Sequence, residues 1–188
     1  PFYRQIVERL NGSLDDDDFE RCAADILRAH HPTLVPIRGG SDSGMDGAIA
    51  DSEGEPFPLI TTTSRNVIGN LTRNLNQYLA DGGIRRKAIL ATSQALTPQR
   101  RRNLNRRALE LGFTLIQIYE KAAMADRLYH RPEWCRELLN LTGNPPPLSA
   151  IPRLDRPFAN LAIIGREADL AWLNQTSGDR LLVGQPGS

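Results

Sequence analysis

Cysteine is scarce in this chain: 188 residues contain two, Cys22 and Cys135, far apart and each within a helical pattern. That excludes a disulfide framework and a cysteine-based metal centre, and it suits a reducing compartment, so a cytoplasmic location is expected. Long apolar runs are missing too. None approaches the roughly 18 residues of a membrane span, and no secretory leader is visible, so no membrane partner is expected. Net charge is almost nil, with 23 Lys and Arg against 22 Asp and Glu. The molecule as a whole therefore does not attract nucleic acid by bulk charge. There is no internal repeat. With 40% hydrophobic and 24% charged residues the chain is globular, large enough for one solid core and a fragment of a second.

What is present is unevenly distributed. Asp15 to Asp18 concentrates acid near the start, whereas Arg85-Arg86-Lys87, Arg100-Arg101-Arg102 and Arg106-Arg107 concentrate base in the middle. The segment Gly39-Gly40-Ser41-Asp42-Ser43-Gly44-Met45-Asp46-Gly47 stands out between them. Glycine permits positive φ and a close approach of ligand to backbone, and the turn hands an aspartate to the head of the following strand. An ordinary surface turn has the same composition, so the segment gains meaning only from its surroundings.

Those surroundings read as alternating elements. Phe2 to Leu10 is a short amphipathic helix closed by Asn11-Gly12. Asp15 to Asp18 opens a second helix, in which Phe19, Cys22, Ala23, Ile26 and Leu27 fall at i, i+3, i+4, i+7 and i+8 and form one buried face. Glu20 borders that face. Leu34 to Ile37 is a short strand. Asp46 to Asp51 and Phe57 to Thr63 form a β-hairpin around Ser52-Glu53-Gly54-Glu55. A helix from Asn66 to Leu79, a buried strand from Lys87 to Thr92, a basic helix from Thr97 to Leu111, a strand from Phe113 to Tyr119 and helices near 121–129 and 132–141 follow. Helix and strand alternate after the hairpin, which predicts an α/β fold with at least one parallel strand pair.

Three acids can be placed on this frame: Glu20 on the helix before the first strand, Asp42 inside the turn, and Asp46 at the hairpin's start. Carboxylates arriving from separate elements are what a Mg²⁺ ion shared with a phosphate requires. A phenylalanine-glutamate on a helix, a glycine turn ending in aspartate-glycine and a hairpin whose second strand ends in polar residues together resemble the Mrr-type branch of the PD-(D/E)xK restriction-endonuclease superfamily. The resemblance covers Asp15 to Leu141. It implies a restriction-endonuclease-like mixed central sheet flanked by helices over residues 1–142, with Glu20 and Asp46 serving Mg²⁺ or Mn²⁺ in catalysis.

The second strand departs from the pattern. An acid or glutamine followed two residues later by lysine is the family's arrangement, and here the strand reads Leu59-Ile60-Thr61-Thr62-Thr63-Ser64-Arg65. Spacing two offers Thr61/Thr63, Thr62/Ser64 or Thr63/Arg65, and only the last supplies a cation. Arg65 is therefore the expected lysine stand-in, with Thr63 holding a ligand or water. A nuclease fold that has lost catalysis and only binds DNA or a partner is the alternative.

Residues 143–160 are a proline-rich, semi-rigid linker. Beyond it, Ile164-Gly165-Arg166-Glu167 and the strand into Gly184-Gln185-Pro186-Gly187-Ser188 resemble the opening of an AAA+-like, STAND-type signalling NTPase. Gly184, Gly187 and Ser188 match the first half of a Walker A loop whose lysine lies outside the sequence, so 161–188 reads as the start of a P-loop domain that neither binds nor hydrolyses ATP alone. The combined resemblance implies an N-terminal effector nuclease of a prokaryotic antiviral STAND NTPase. In that layout a C-terminal sensor meets a foreign (phage) protein, ATP and Mg²⁺ drive self-association to a tetramer-like oligomer, and the gathered nucleases cut double-stranded DNA. A type IV restriction enzyme with an NTP-driven motor is a further alternative. Arg100, Arg101, Arg102, Arg106 and Arg107 are the expected backbone-phosphate contacts, against the simpler reading of a solvated face. His30 and His31 read as helix-capping residues, and Trp134 and Trp172 as packing residues.

Overall fold

The computed structural model describes residues 2–37, 44–52 and 54–143. All belong to one compact unit, Pro1–Pro146. The linker from 144 onward, the NTPase-like segment with Gly184, Gly187 and Ser188, Trp172 and the turn residue Asp42 lie outside the described residues.

The fold is α/β. In chain order the elements are α1 (Phe2–Arg9), α2 (Asp16–Leu27), β1 (Leu34–Pro36), β2 (Gly47–Ile49), β3 (Phe57–Thr62), α3 (Val67–Ala80), β4 (Lys87–Thr92), α4 (Pro98–Glu110), β5 (Thr114–Tyr119), α5 (Lys121–Leu128) and α6 (Pro132–Leu139). The five strands form one sheet in the order β1-β2-β3-β4-β5. β1, β2 and β3 pair antiparallel, while β3, β4 and β5 pair parallel. The sheet is thus mixed, and the switch falls at β3.

β3 is buried along its whole length, because helices cover both of its faces. Leu59 points into a core shared with Ile89 and Ala91 of β4 and with α1, α2, α5 and α6; Ile60 points the opposite way, into a core shared with Ala88 and Leu90 and with α3 and α4. Each such side chain contributes about 1.5–3 kcal/mol by burial. Alternation of period two thus feeds two cores from one strand.

Local chemistry sets the helix ends. Asp15 caps α2 by accepting from the N–H of Asp18 at 3.0 Å, Asn66 caps α3 by accepting from Gly69 at 3.0 Å, and Thr97 caps α4 by accepting from Arg100 at 3.2 Å, ahead of Pro98. The expected apolar stripe of α2 is realised, with Phe19, Cys22, Ala23, Ile26 and Leu27 all buried. The hairpin's first strand is shorter than expected, Gly47–Ile49 instead of 46–51. Asp46 stands just ahead of the ladder, its N–H bonded to Leu59 O at 3.0 Å, and its carboxylate takes the Thr61 N–H.

Candidate active site

The end of β3 opens into a cleft of about 580 Å³. Three walls make it. The first turns of α2 bring Asp16 and Glu20, four residues apart and so on one helix face. Asp46 enters from the turn before β2, and Thr61, Thr62, Thr63 and Ser64 form the floor where β3 runs out. α3 lends the stripe Asn66, Gly69, Asn70, Arg73 and Asn74. A helix whose other stripe, Val67, Leu71, Leu75 and Tyr78, is buried in the core must turn such a polar face outward.

Among the described acids of the cleft Asp46 is the most enclosed, 8% exposed. Its Oδ2 accepts from the main-chain N–H of Thr61 and from the Thr61 hydroxyl, the second at 2.8 Å. A buried carboxylate is costly unless hydrogen-bonded, and these two donors offset much of that cost while fixing where the carboxylate points. The glycine turn fixes it from behind. Gly44 has φ +72°, and a Cβ built there would lie 2.2 Å from the main-chain oxygen of Asn74, so only glycine lets the turn sit directly on α3.

The structure gathers Glu20, Asp46 and Thr63 around this cleft and leaves Arg65 out of its lining. Of the three possible spacings on β3, the one that begins at Thr61 stands beside Asp46, since Gly47 is paired with Leu59 and Thr61 bonds the Asp46 carboxylate. Thr63 lies two residues on, its hydroxyl bonded to Asp16 and its carbonyl accepting from Gln94 at 2.7 Å. Arg65 faces neighbouring hollows, one of about 200 Å³ shared with Leu96, Arg100 and Leu104, another beside Gln94 and residues 11–14.

The arginines of α4 do not share one face. Arg100 lines the hollow with Arg65, and Arg102 and Arg106 bond Gln99 at 2.9 Å and Asn103 at 3.2 Å on the helix surface. Arg101 is half-buried. Arg107 ties α4 to α3 through Thr72 Oγ1 at 3.1 Å and also meets Glu110 at 2.9 Å.

No match to this chain is found among family models, curated proteins or solved structures. The site therefore rests on its own chemistry.

Several acid–base groups away from the cleft lining have displaced pKa values. Burial lowers the pKa of His31, with the charges of His30 and Arg127 adding to the effect, and the ring meets Tyr119 Oη at 2.9 Å. Neither His30 nor His31 belongs to α2, which ends at Leu27; both turn back through main-chain bonds to Leu27 O, each at 2.9 Å. Burial raises the thiol of Cys22 and pushes that of Cys135 up to about 11, so neither is a nucleophile at neutral pH. Trp134 is buried against α2, donating its indole N–H to Asp25 at 2.7 Å.

The donor set of the cleft is carboxylate, hydroxyl and amide, without thiol or imidazole, which suits a hard cation such as Mg²⁺ or Mn²⁺. Among the described residues no group of three or more Asp, Glu, His or Cys side chains could enclose a metal. From the described residues an ion here would take at most two carboxylates, and retaining several waters is the habit of Mg²⁺. The Asn66, Asn70 and Asn74 series, Asp16 and Arg73 complete the cleft beyond the residues expected from sequence. Their signal was available in the i, i+4, i+8 spacing of the asparagines.

Proposed function

We propose that this chain is a phosphodiesterase module acting on double-stranded DNA, the N-terminal effector nuclease of a larger STAND-type NTPase. The observation that carries the reading is Asp46: a buried carboxylate, held by two donors, in a cleft it shares with Glu20. A carboxylate made rigid in this way is prepared to hold a cation or a water in one place, and preorganisation of that kind lowers barriers. Asp46 and Glu20 would hold Mg²⁺ or Mn²⁺, which would supply Lewis-acid activation of water and of the scissile phosphate. Thr61 orients Asp46, and Thr63 ties the end of β3 to Asp16, so Glu20 on α2 and the Asp46 held by β3 keep a common frame. Arg100, in the adjoining hollow, would meet the DNA backbone flanking the cut.

A second reading has its own support. β3 offers hydroxyls where hydrolysis of this kind uses an acid or amide and a lysine, and the described acids do not form a group of three. In that reading the same cleft belongs to a module that binds DNA or assembles the oligomer without cutting.

Plasmid cleavage by the protein within its full-length parent, activated by its trigger, decides between them. Nicking that requires Mg²⁺ and disappears in Asp46→Asn and Glu20→Gln supports the nuclease. Cleavage that survives Asp46→Asn removes the catalytic assignment, and DNA binding with no cleavage under any trigger favours the binding module.

A further inference from the structure

The cleft has opposed walls. On one side are the carboxylates of Asp16, Glu20 and Asp46; on the other is the outward stripe of α3, where Asn70, Arg73 and Asn74 present N–H donors. Among the described residues lining this cleft, Arg73 is the one cation. It is exposed, and among the described residues it makes no hydrogen bond or ion pair, in contrast to Arg107 on the next helix, which is tied to Thr72 and Glu110. Asn74 spends one amide N–H on Asn70 Oδ1 at 3.2 Å, which leaves its second N–H and both of those on Asn70 for a ligand.

A phosphodiester carries its charge on nonbridging oxygens that only accept. Without a cation the acidic wall repels it, whereas the donor wall draws it, and a guanidinium can bond two of its oxygens at once. We propose that Arg73 grips the phosphate of the DNA strand lying in the cleft, with Asn70 and Asn74 donating to adjacent backbone oxygens. This rests on the phosphodiester reading given above. The geometry that separates the two arginines is simple: Arg73 shares the cleft with Asp46, and Arg65 opens into different hollows.

The test is fluorescence anisotropy of a short fluorescein-labelled DNA duplex over a salt series, with Ca²⁺ in place of Mg²⁺, on wild type, Arg73→Ala, Arg73→Lys and Arg65→Ala. Arg73→Ala is expected to weaken binding about tenfold at low salt and to lower the slope of log K against log salt by about one. Arg73→Lys should restore the salt slope while recovering only part of the affinity, because a point charge replaces a fork. Arg65→Ala should stay within about twofold of wild type at low salt. A urea midpoint for each variant guards against misfolding. The proposal is overturned if Arg73→Ala binds as wild type does, or if Arg65→Ala loses as much as Arg73→Ala. Wild type that binds no DNA overturns this proposal and the phosphodiester reading together. Mg²⁺-dependent cleavage that is lost in Asp46→Asn but unaffected in Arg73→Ala overturns this proposal alone.

Discussion

The Asp46 carboxylate takes both donors of Thr61, the main-chain N–H and the side-chain hydroxyl, the latter at 2.8 Å. The pair joins the residue before β2 to the end of β3, and it replaces a main-chain acceptor with a side chain at the point where the ladder stops. A hydroxyl bonded to a buried charged acceptor is worth about 1.5–3 kcal/mol when lost. Thr61→Val keeps the shape and removes the donor, so it should lower the unfolding free energy by that amount in urea titrations. Thr61→Ser keeps the donor and should stay near wild type. A loss in Thr61→Ser with none in Thr61→Val would mean that packing of the methyl group, not the bond to Asp46, holds this corner.

Gly44 makes the sharpest steric demand near the cleft. Its φ of +72° is unfavourable to any L side chain, and an added Cβ would meet Asn74 O at 2.2 Å, a main-chain atom within α3 that cannot move alone. Gly44→Ala should therefore cost about 2–4 kcal/mol, combining backbone strain with displacement of the turn. It should also impair any activity that depends on Asp46, two residues along. Gly54 is the control: it too has positive φ, +107°, but nothing lies within 4 Å of its added Cβ. Gly54→Ala should cost only the strain, about 1 kcal/mol. Thermal unfolding of the two variants separates clash from strain.

The contrast shows what sequence can carry. Glycine at 44 announces a turn, but the contact with Asn74 is non-local, set by how the turn docks on a helix thirty residues further along. The same holds for β3. Its run Phe57 to Thr62 was legible as a strand from composition, and its burial on both faces follows from the alternation of helices and strands. Which threonine faces Asp46 was not legible, because three spacings were chemically open and only the pairing of Gly47 with Leu59 selects Thr61. Counting along β3 leads to Arg65, whereas the cation in the cleft comes from α3, brought there by helix packing. The helical stripes of α2 and α3 were readable because amphipathic periodicity is local.

Stability should fall below neutral pH through His31. Burial holds its folded pKa below the ordinary value of 6.5, with His30 and Arg127 pushing in the same direction and Tyr119 meeting the ring. The unfolded chain thus binds the proton first, so the stabilisation is complete above the unfolded pKa and is lost as pH falls through the folded one. Urea midpoints measured from about pH 7.5 down to pH 5 should decline. In His31→Gln, which keeps a polar atom near Tyr119, the decline should be shallower. Parallel curves for the two proteins would assign the acid sensitivity to other groups.

The arginines of α4 should divide by what they already hold. Arg107 bridges to Thr72 on α3 and to Glu110, so Arg107→Ala removes a tie between two helices and should cost about 1 kcal/mol of stability. Arg102 and Arg106 bond only polar neighbours one turn back on their own exposed helix surface, and their replacement by alanine should shift stability by less than about 0.5 kcal/mol. If α4 meets the DNA backbone, each of these two replacements should reduce the salt slope of duplex binding by about one and weaken binding alike for all sequences. The double variant Arg102→Ala with Arg106→Ala gives the clearest reading. A slope lowered by about two places this surface on the phosphates, while an unchanged slope makes it a solvated face and leaves Arg73, Arg65 and Arg100 as the cations beside the cleft.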